Sequence, residues 1–163
     1  MKIHRFLVII TLILCFNSNS SAQKQSDKTS KVYKVTKSVK DWQSQLSEKE
    51  FYVLRQAGTE RPFTSPLNKN YNNGIYACKA CETPLFKSEH KFDSGTGWPS
   101  FDREIEGNVD FSTDHDLGYA RTEEHCATCG GHLGHVFNDG PRKTTGKRHC
   151  INGVSLKFIP AKK

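Results

Sequence analysis

The chain has 163 residues, a length that suits one compact domain with a hydrophobic core and is too short for two ordinary domains. Lysine and arginine outnumber aspartate and glutamate by 24 to 17, giving a net charge of +7, and the excess is spread along the chain instead of forming one block. This distribution favours a soluble protein and argues against a nucleic-acid-binding surface.

The first 22 residues have the pattern of an export signal peptide. Lys2 and Arg5 supply positive charge, a mostly apolar run of eleven residues extends from Phe6 to Phe16, and Ser20-Ser21-Ala22 offers small residues for cleavage. A membrane-spanning helix needs about 20 apolar residues, so this run is too short for a permanent span. We expect cleavage after Ala22 and export to the periplasm or beyond, with no stable membrane insertion afterwards.

Two further features of the N-terminal region are a candidate lipid attachment site and a polar segment before the domain. Lipid attachment at Cys15 is the less favoured alternative to cleavage, because the bulky Leu14 stands where a small residue is usual. Residues 23–37 are polar and lysine-rich, with little to bury, and this composition predicts a flexible linker. We expect the folded domain to occupy residues 38–161.

Two short helices are predicted at the start of this domain. Apolar residues recur at helical spacing between Val39 and Leu46. Ser47 and Glu50 then form a capping box, in which each side chain satisfies a free amide of the other residue at a helix start. Gly58 is expected to end the second helix.

Beyond residue 73 the pattern changes to short segments rich in Tyr, Phe, Val and Ile, separated by turn residues. This alternation predicts a mainly β domain built from antiparallel strands. The predicted strands are Ile75–Ala77, Leu117–Glu123, Leu133–Phe137 and Val154–Ile159.

Four cysteines form two Cys-x-x-Cys pairs, Cys78 with Cys81 and Cys126 with Cys129. Each spacing lets a tight turn aim two thiolates at one point, and two such pairs make the tetrahedral sulfur site that structural zinc prefers. We therefore predict one structural Zn²⁺ per chain. Two disulfides, a thioredoxin-like redox pair, or iron in place of zinc are the alternatives.

Cys150 has no partner among the remaining cysteines once Cys15 leaves with the signal. If the surrounding strand is regular, Arg148 and Cys150 share a face while His149 points away. A nearby cation favours the nucleophilic thiolate and is expected to lower the thiol pKa. Asn152 either offers an amide on that face or simply forms a turn with the next glycine. The simpler alternative for Cys150 is a small buried apolar residue.

Two other segments carry candidate functional side chains. His132 and His135 are close in sequence and are free for acid-base work if four cysteines fill the metal site, although they could be extra metal ligands or surface histidines. Trp98 lies in the loop Gly95–Phe101, where a large indole is as fitted to plug the core as to wall a pocket.

Taken together, the segments "SGTGWPSF", "HLGHVFNDGP" and "RHCINGVSLKFIP", with the two cysteine pairs, closely resemble the methionine sulfoxide reductase B family. The likeness runs from about Ser38 to Pro160. It implies a compact single domain of two antiparallel sheets with short peripheral helices and a four-cysteine zinc site. It also implies an enzyme that reduces the R epimer of methionine sulfoxide, free or within oxidised proteins, and so reverses oxidative damage.

The resemblance also assigns roles to residues of this sequence. It implies that Cys150 is the nucleophile and that the four paired cysteines bind zinc. The substrate-side positions that it implies are Trp98, His132, His135, Phe137, Arg148 and Asn152.

The implied reaction starts with attack of the Cys150 thiolate on the sulfoxide sulfur, while a histidine supplies a proton to the oxygen. Cys150 is then left as a sulfenic acid. Many relatives carry a resolving cysteine where this chain has Thr96, so an outside reductant, a thioredoxin-like protein or a small thiol, is expected. The alternative from another class is a non-catalytic binding module built on zinc knuckles.

Overall fold

The computed structural model describes residues 31–162. The predicted signal peptide (1–22), Cys15 and linker residues 23–30 lie outside the described residues. Val35, within the predicted linker, contacts the domain: its amide donates to the carbonyl of Thr128 at 2.9 Å, and its side chain packs on the core. The domain boundary at residue 38 stays a prediction.

Two helices open the domain, α1 (Val39–Gln45) and α2 (Glu48–Gln56), followed by short 3₁₀ turns and nine strands. The 3₁₀ turns span Pro66–Lys69, Ser88–His90 and Gly153–Ser155. The strands are β1 (Gly74–Cys78), β2 (Pro84–Lys87), β3 (Lys91–Phe92), β4 (Ser100–Phe101), β5 (Val109–Asp114), β6 (Arg121–Cys126), β7 (His132–Phe137), β8 (Arg148–Ile151) and β9 (Leu156–Pro160).

Helix α2 begins and ends close to the predicted residues. The capping box is present in full: the Ser47 side chain accepts from the Glu50 amide, and the Glu50 carboxylate accepts from the Ser47 amide. At the other end, Ala57 takes the left-handed conformation that was expected of Gly58. Gly58 is needed for a different reason, since a Cβ there would lie 2.2 Å from the ring of Tyr52.

The strands form two antiparallel sheets, as predicted. The small sheet has the order β2-β1-β9, and the large sheet has the order β3-β4-β8-β7-β6-β5. Their shared core is aromatic: the rings of Phe86 and Phe101 stack with centroids 4.4 Å apart, and Tyr76 meets Phe101 edge-on at 4.9 Å. All three side chains are fully buried.

Two predicted strands need correction. The strand expected over Leu117–Glu123 starts only at Arg121, because Leu117 and Gly118 lie in the β5–β6 turn, where Gly118 has a positive φ of 81°. The strand expected over Val154–Ile159 is preceded by a 3₁₀ turn and starts at Leu156. Apolar residues imitate a strand pattern in both places, exposed at Leu117 and partly buried at Val154, and local turn chemistry overrides it.

None of the helices within residues 31–162 combines the length and hydropathy needed to cross a membrane.

Candidate active site

Cys150 lies on β8, a strand inside the large sheet with β4 on one side and β7 on the other. Its cross-strand partners are Ser100 and His135. Side chains alternate along β8, so that Arg148 and Cys150 are partly exposed while His149 is buried on the opposite face. The predicted separation of His149 from its two neighbours is confirmed.

A pocket of about 130 Å³ opens over the Cys150 sulfur. Two aromatic side chains and several polar groups meet there. The lining residues besides Cys150 are Thr59, Trp98, Arg121, Gly134, His135, Phe137 and Asn152.

Four of the six predicted substrate-side residues therefore line the pocket, and the other two lie beside it. The Arg148 guanidinium packs over the Phe137 ring at 4.4 Å and forms a two-pronged ion pair with Asp139, at 2.8 and 2.9 Å. His132 is buried, with its ring centroid 5.7 Å from that of His135.

A bulge in β7 explains why His132 and His135 share a face although they are three residues apart. In the β6–β7 ladder Glu124 pairs with Gly134, but the next residue, His125, pairs with His132. Leu133 is thus the extra residue, and its side chain turns into the core, where it is fully buried. Sequence spacing alone could not place both imidazoles on one side.

Two acidic residues orient these histidines. His132 Nδ1 lies 2.6 Å from Glu123 Oε1, and His135 Nε2 lies 2.6 Å from Asp114 Oδ2. Arg121 is also paired with Asp114. Sequence reasoning missed all three of these partners, although alternation along β5 and β6 places them on the histidine-bearing face.

The polar partners fix the charge state of the pocket. The Asp116 amide, with His135 and Arg121, holds the pKa of Asp114 below its usual range, so this group is a carboxylate. Burial lowers the pKa of His135 despite the carboxylate beside it, which favours the neutral ring at pH 7. The Nε2–H of the neutral ring then donates to Asp114, which leaves Nδ1 free to accept a hydrogen bond or a proton.

Burial raises the pKa of the Cys150 thiol above its ordinary value, even though Thr96 and Arg148 favour the thiolate. The expectation that Arg148 lowers the pKa overall is wrong, because desolvation of the sulfur outweighs the attraction of the guanidinium. The resting group is a thiol whose ionisation is assisted by an adjacent cation.

The glycine-tryptophan loop places Thr96 beside the sulfur. Thr96 Oγ1 lies 3.8 Å from Cys150 Sγ and 2.8 Å from the hydroxyl of Ser94, which in turn contacts Ser100 at 2.7 Å. Trp98 from the same loop walls the pocket while Phe101 fills the core. The segment Gly95–Phe101 therefore serves both as a pocket wall, through Trp98, and as a core plug, through Phe101.

Glu60 is a further residue that positions pocket side chains and that the sequence did not reveal. Its backbone amide donates to Asn152 Oδ1 at 2.9 Å, and its carbonyl accepts from the Trp98 indole at 3.1 Å. Its buried carboxylate accepts from the amides of Gly153 and Val154. One residue thus fixes two walls of the pocket, and no local pattern marks it.

The amide of Asn152 is used by the fold as well as by the pocket. Its Nδ2 donates to the carbonyl of Leu133 at 3.0 Å, and the residue starts the 3₁₀ turn Gly153–Ser155. The turn-forming role and the pocket-lining role are both realised.

The reverse face of β8 carries a buried histidine, which contacts two carboxyl groups. His149 Nδ1 lies 2.6 Å from Glu124 Oε1, and its Nε2 lies 3.2 Å from Glu104 Oε2. Glu124 is fully buried, and desolvation raises its pKa. The backbone that carries Cys150 is therefore held from behind by hydrogen bonds between the His149 ring and the carboxyl groups of Glu124 and Glu104.

The four paired cysteines converge as predicted. Their sulfur atoms all lie within 4.8 Å of one another, with Cys78 and Cys129 separated by 3.7 Å and Cys81 and Cys126 by 3.5 Å. A tetrahedral metal with bonds of about 2.3 Å to sulfur sets its ligands ~3.8 Å apart, so this set fits a metal ion. No disulfide joins any cysteines in residues 31–162, which rules out the two-disulfide alternative there.

Both cysteine turns have the same backbone design. The amide four residues after the first cysteine donates back to its carbonyl at 2.8 Å, from Glu82 to Cys78 and from Gly130 to Cys126. Glu82 and Gly130 both have positive φ, at 61° and 68°. This repeated turn is what aims two sulfurs of each pair at one point.

A half-buried thiol under an aromatic-walled pocket, on a two-sheet domain in which four other cysteines converge, is an arrangement typical of small β enzymes that work by thiol chemistry. The family model described as the SelR domain matches residues 46–160. Two curated relatives, both called peptide methionine sulfoxide reductase MsrB, support the same assignment. The chain belongs to the methionine sulfoxide reductase B family.

The relative from Alteromonas mediterranea is 54% identical over 120 residues, covering 73% of this chain and 84% of its own. The relative from Leptospira interrogans is 53% identical over 127 residues, covering 77% of this chain and 96% of its own. A solved structure, the Mis18 'Yippee-like' domain, aligns with 56% of this chain at 18% identity and a TM-score of 0.43, too low a similarity to bear on the fold.

Replacing Arg148 by Ala is expected to raise the pKa of Cys150 further, because the adjacent cation that favours the thiolate is lost. The pH dependence of alkylation by iodoacetamide measures this value, and its midpoint should move to higher pH. Arg142→Ala, which removes an exposed arginine, is the matched control. An unchanged midpoint in Arg148→Ala would show that the guanidinium does not act on the sulfur.

Proposed function

We propose that this chain reduces the R epimer of methionine sulfoxide, within oxidised proteins or free, and that Cys150 is its nucleophile. The observation that carries the proposal is the half-buried Cys150 thiol at the base of a pocket with Trp98 and Phe137 in its lining. Two relatives of more than 50% identity bear the name of this activity. The choice of epimer rests on the family resemblance.

The pocket suits both ends of a methionine sulfoxide. A terminal methyl gains from contact with dry aromatic surface, which Trp98 and Phe137 provide. The sulfoxide oxygen instead needs hydrogen-bond donors, which the guanidinium of Arg121 brings to the same pocket. The arrangement therefore favours an orientation in which the sulfur faces Cys150.

The first step exchanges one bond for another without an outside redox partner. The Cys150 sulfur attacks the sulfoxide sulfur, the S–O bond breaks, and the oxygen is transferred to cysteine, giving a sulfenic acid and the thioether of methionine. The proton that Cys150 loses balances the proton that the oxygen gains. His135, held by Asp114, and His132, held by Glu123, are the groups that relay it, directly or through water.

The second step needs an outside reductant because, within residues 31–162, every cysteine other than Cys150 belongs to the four-cysteine cluster. Thr96 occupies the nearest position on the loop, and its hydroxyl cannot form a disulfide. Two external thiols, from a thioredoxin-like protein or a small thiol, would convert the sulfenic acid back to Cys150, releasing water and a disulfide.

The metal that we propose for the four-cysteine cluster is one structural Zn²⁺ per chain. Four thiolates in tetrahedral arrangement, with three of the cysteines buried, are the closed ligand set typical of structural zinc. Bound zinc would hold the end of β1 to the end of β6 and would have no coordination position left for substrate.

The test of function is a stereospecific assay with dithiothreitol as reductant. The wild type is expected to reduce the R but not the S epimer of a methionine sulfoxide peptide, and Cys150→Ser should lose at least about 10³-fold in rate while keeping its zinc. Equal loss of zinc would point to misfolding. Full activity in Cys150→Ser, or a wild type without activity on either epimer, would favour the non-catalytic binding module.

Zinc content gives a separate prediction. The purified protein should hold one zinc per chain, and Cys81→Ser should lose it and unfold more than about 10 °C lower, because metal binding contributes directly to folding stability. Cys150→Ser serves as the control, since it removes a thiol outside the cluster. A wild type that is free of metal with accessible thiols would instead support the redox-pair alternative.

Introducing a thiol at the loop tests the regeneration step. Thr96→Cys would place a second sulfur next to Cys150 and is expected to form an internal disulfide after one turnover without reductant. The wild type and the exposed control Thr144→Cys should instead accumulate a sulfenic acid that a trapping reagent labels. An internal disulfide to Cys150 in the turned-over wild type would overturn the proposal of an outside reductant.

A further inference from the structure

A second group of potential metal ligands lies on the active-site face of the large sheet. It consists of Glu123 and His125 on β6 and His132 on β7. We propose that these three side chains form a site for a divalent late transition metal such as Zn²⁺, and that its occupancy inhibits the enzyme by engaging His132. The binding part stands independently of the proposed reaction, whereas the inhibition part rests on it.

The geometry of the three side chains converges on one oxygen atom. His125 Nε2 lies 3.0 Å from Glu123 Oε1, and His132 Nδ1 lies 2.6 Å from the same oxygen. One ligand atom from each residue falls within 4.8 Å of the other two. Bonds of about 2.1 Å to nitrogen and oxygen put tetrahedral ligands ~3.4 Å apart. The three ligand atoms therefore need to move apart only slightly to admit a cation.

The bulge in β7 is what completes this group. Alternation along β6 places Glu123 and His125 on one face, and their register partners on β7 are His135 and His132. Without the extra residue Leu133, His132 would point into the core and the group would hold only two ligands. The same local irregularity thus serves the pocket and the proposed metal site.

The proposed site and the four-cysteine cluster lie on opposite faces of the same strand. Glu123 and His125 alternate with Glu124 and Cys126, which are buried on the core side. The two sets also differ in chemistry: imidazole and carboxylate ligands suit Zn²⁺, Ni²⁺ and Cu²⁺, and three of them leave open coordination positions. Exchange between the two sites would require crossing the sheet.

The proposed metal site is partly exposed, so that a cation can reach it. The side chains of Glu123 and His125 are 16% and 20% exposed, and that of His132 is 4% exposed. Asp110 lies opposite His125 in the strand register, where a carboxylate can support a metal-bound imidazole from its far side. A cation can therefore enter from the His125 side.

Metal binding would change the acid-base state of His132. Coordination through Nδ1 would fix the ring proton on Nε2, an atom that is buried and lacks a hydrogen-bond partner among the described residues. The ring could then no longer take up and release a proton in the reaction. Inhibition would follow without any contact between the metal and Cys150.

Metal binding is tested on the zinc-loaded Cys150→Ser protein, in which the reactive thiol cannot contribute a ligand. Calorimetric titration with Zn²⁺ should show one further equivalent beyond the structural zinc. His125→Asn in the same background should weaken this binding at least tenfold, whereas His115→Asn, on an exposed histidine outside the group, should not. Zinc analysis of each variant confirms that the cysteine cluster remains filled.

Inhibition is tested by single turnover of the R-sulfoxide without added thiol, since thiols bind Zn²⁺. The second equivalent should slow wild type and His115→Asn at least tenfold and leave His125→Asn unaffected. The metal site is refuted if the Cys150→Ser protein binds no further equivalent of zinc. It is also refuted if neither His125→Asn nor a second variant, Glu123→Gln, weakens the binding of that equivalent. Zinc binding with no turnover in any protein would refute the proposed function and leave the metal site standing.

Discussion

The convergence of four sulfur atoms between the two sheets is the constraint on which the rest of the domain depends. Cys78 ends β1 in the small sheet, and Cys126 ends β6 in the large sheet, so a metal ion bound by the cluster would fasten one sheet to the other. Three of its cysteines are part of the buried core. The positions of β7 and β8, and with them the pocket, follow from where β6 is held.

Within this frame one antiparallel ladder separates chemistry from packing. The face of β6, β7 and β8 that carries Glu123, His135 and Cys150 is polar and partly open, whereas the other face packs Leu133 and Ile151 into the aromatic core. Because side chains alternate along these strands, the polar network of the pocket lies one residue away from a mainly apolar core, in which Glu124 and His149 are the polar pair on the reverse face. Only the bulge in β7 departs from the rule.

Local patterns predicted the parts of this molecule that depend on short spacing. The paired cysteines predicted the sulfur cluster, Ser47 and Glu50 predicted the start of α2, and alternation predicted that Arg148 and Cys150 share a face. Contacts between distant segments could not be predicted: Glu60 reaches Asn152 across 92 residues of sequence. The pKa of Cys150 was mispredicted for the same reason, since residues beside it, such as Thr96 and His135, come from other segments of the chain.

The buried pairing of His149 with Glu124 links the reactive sulfur to a part of the molecule that substrate never meets. His149 and Cys150 are consecutive residues of β8, so a backbone shift at His149 would also displace Cys150. The rear of the sheet is thus a second place from which evolution could retune this nucleophile while leaving every pocket-lining side chain as it is.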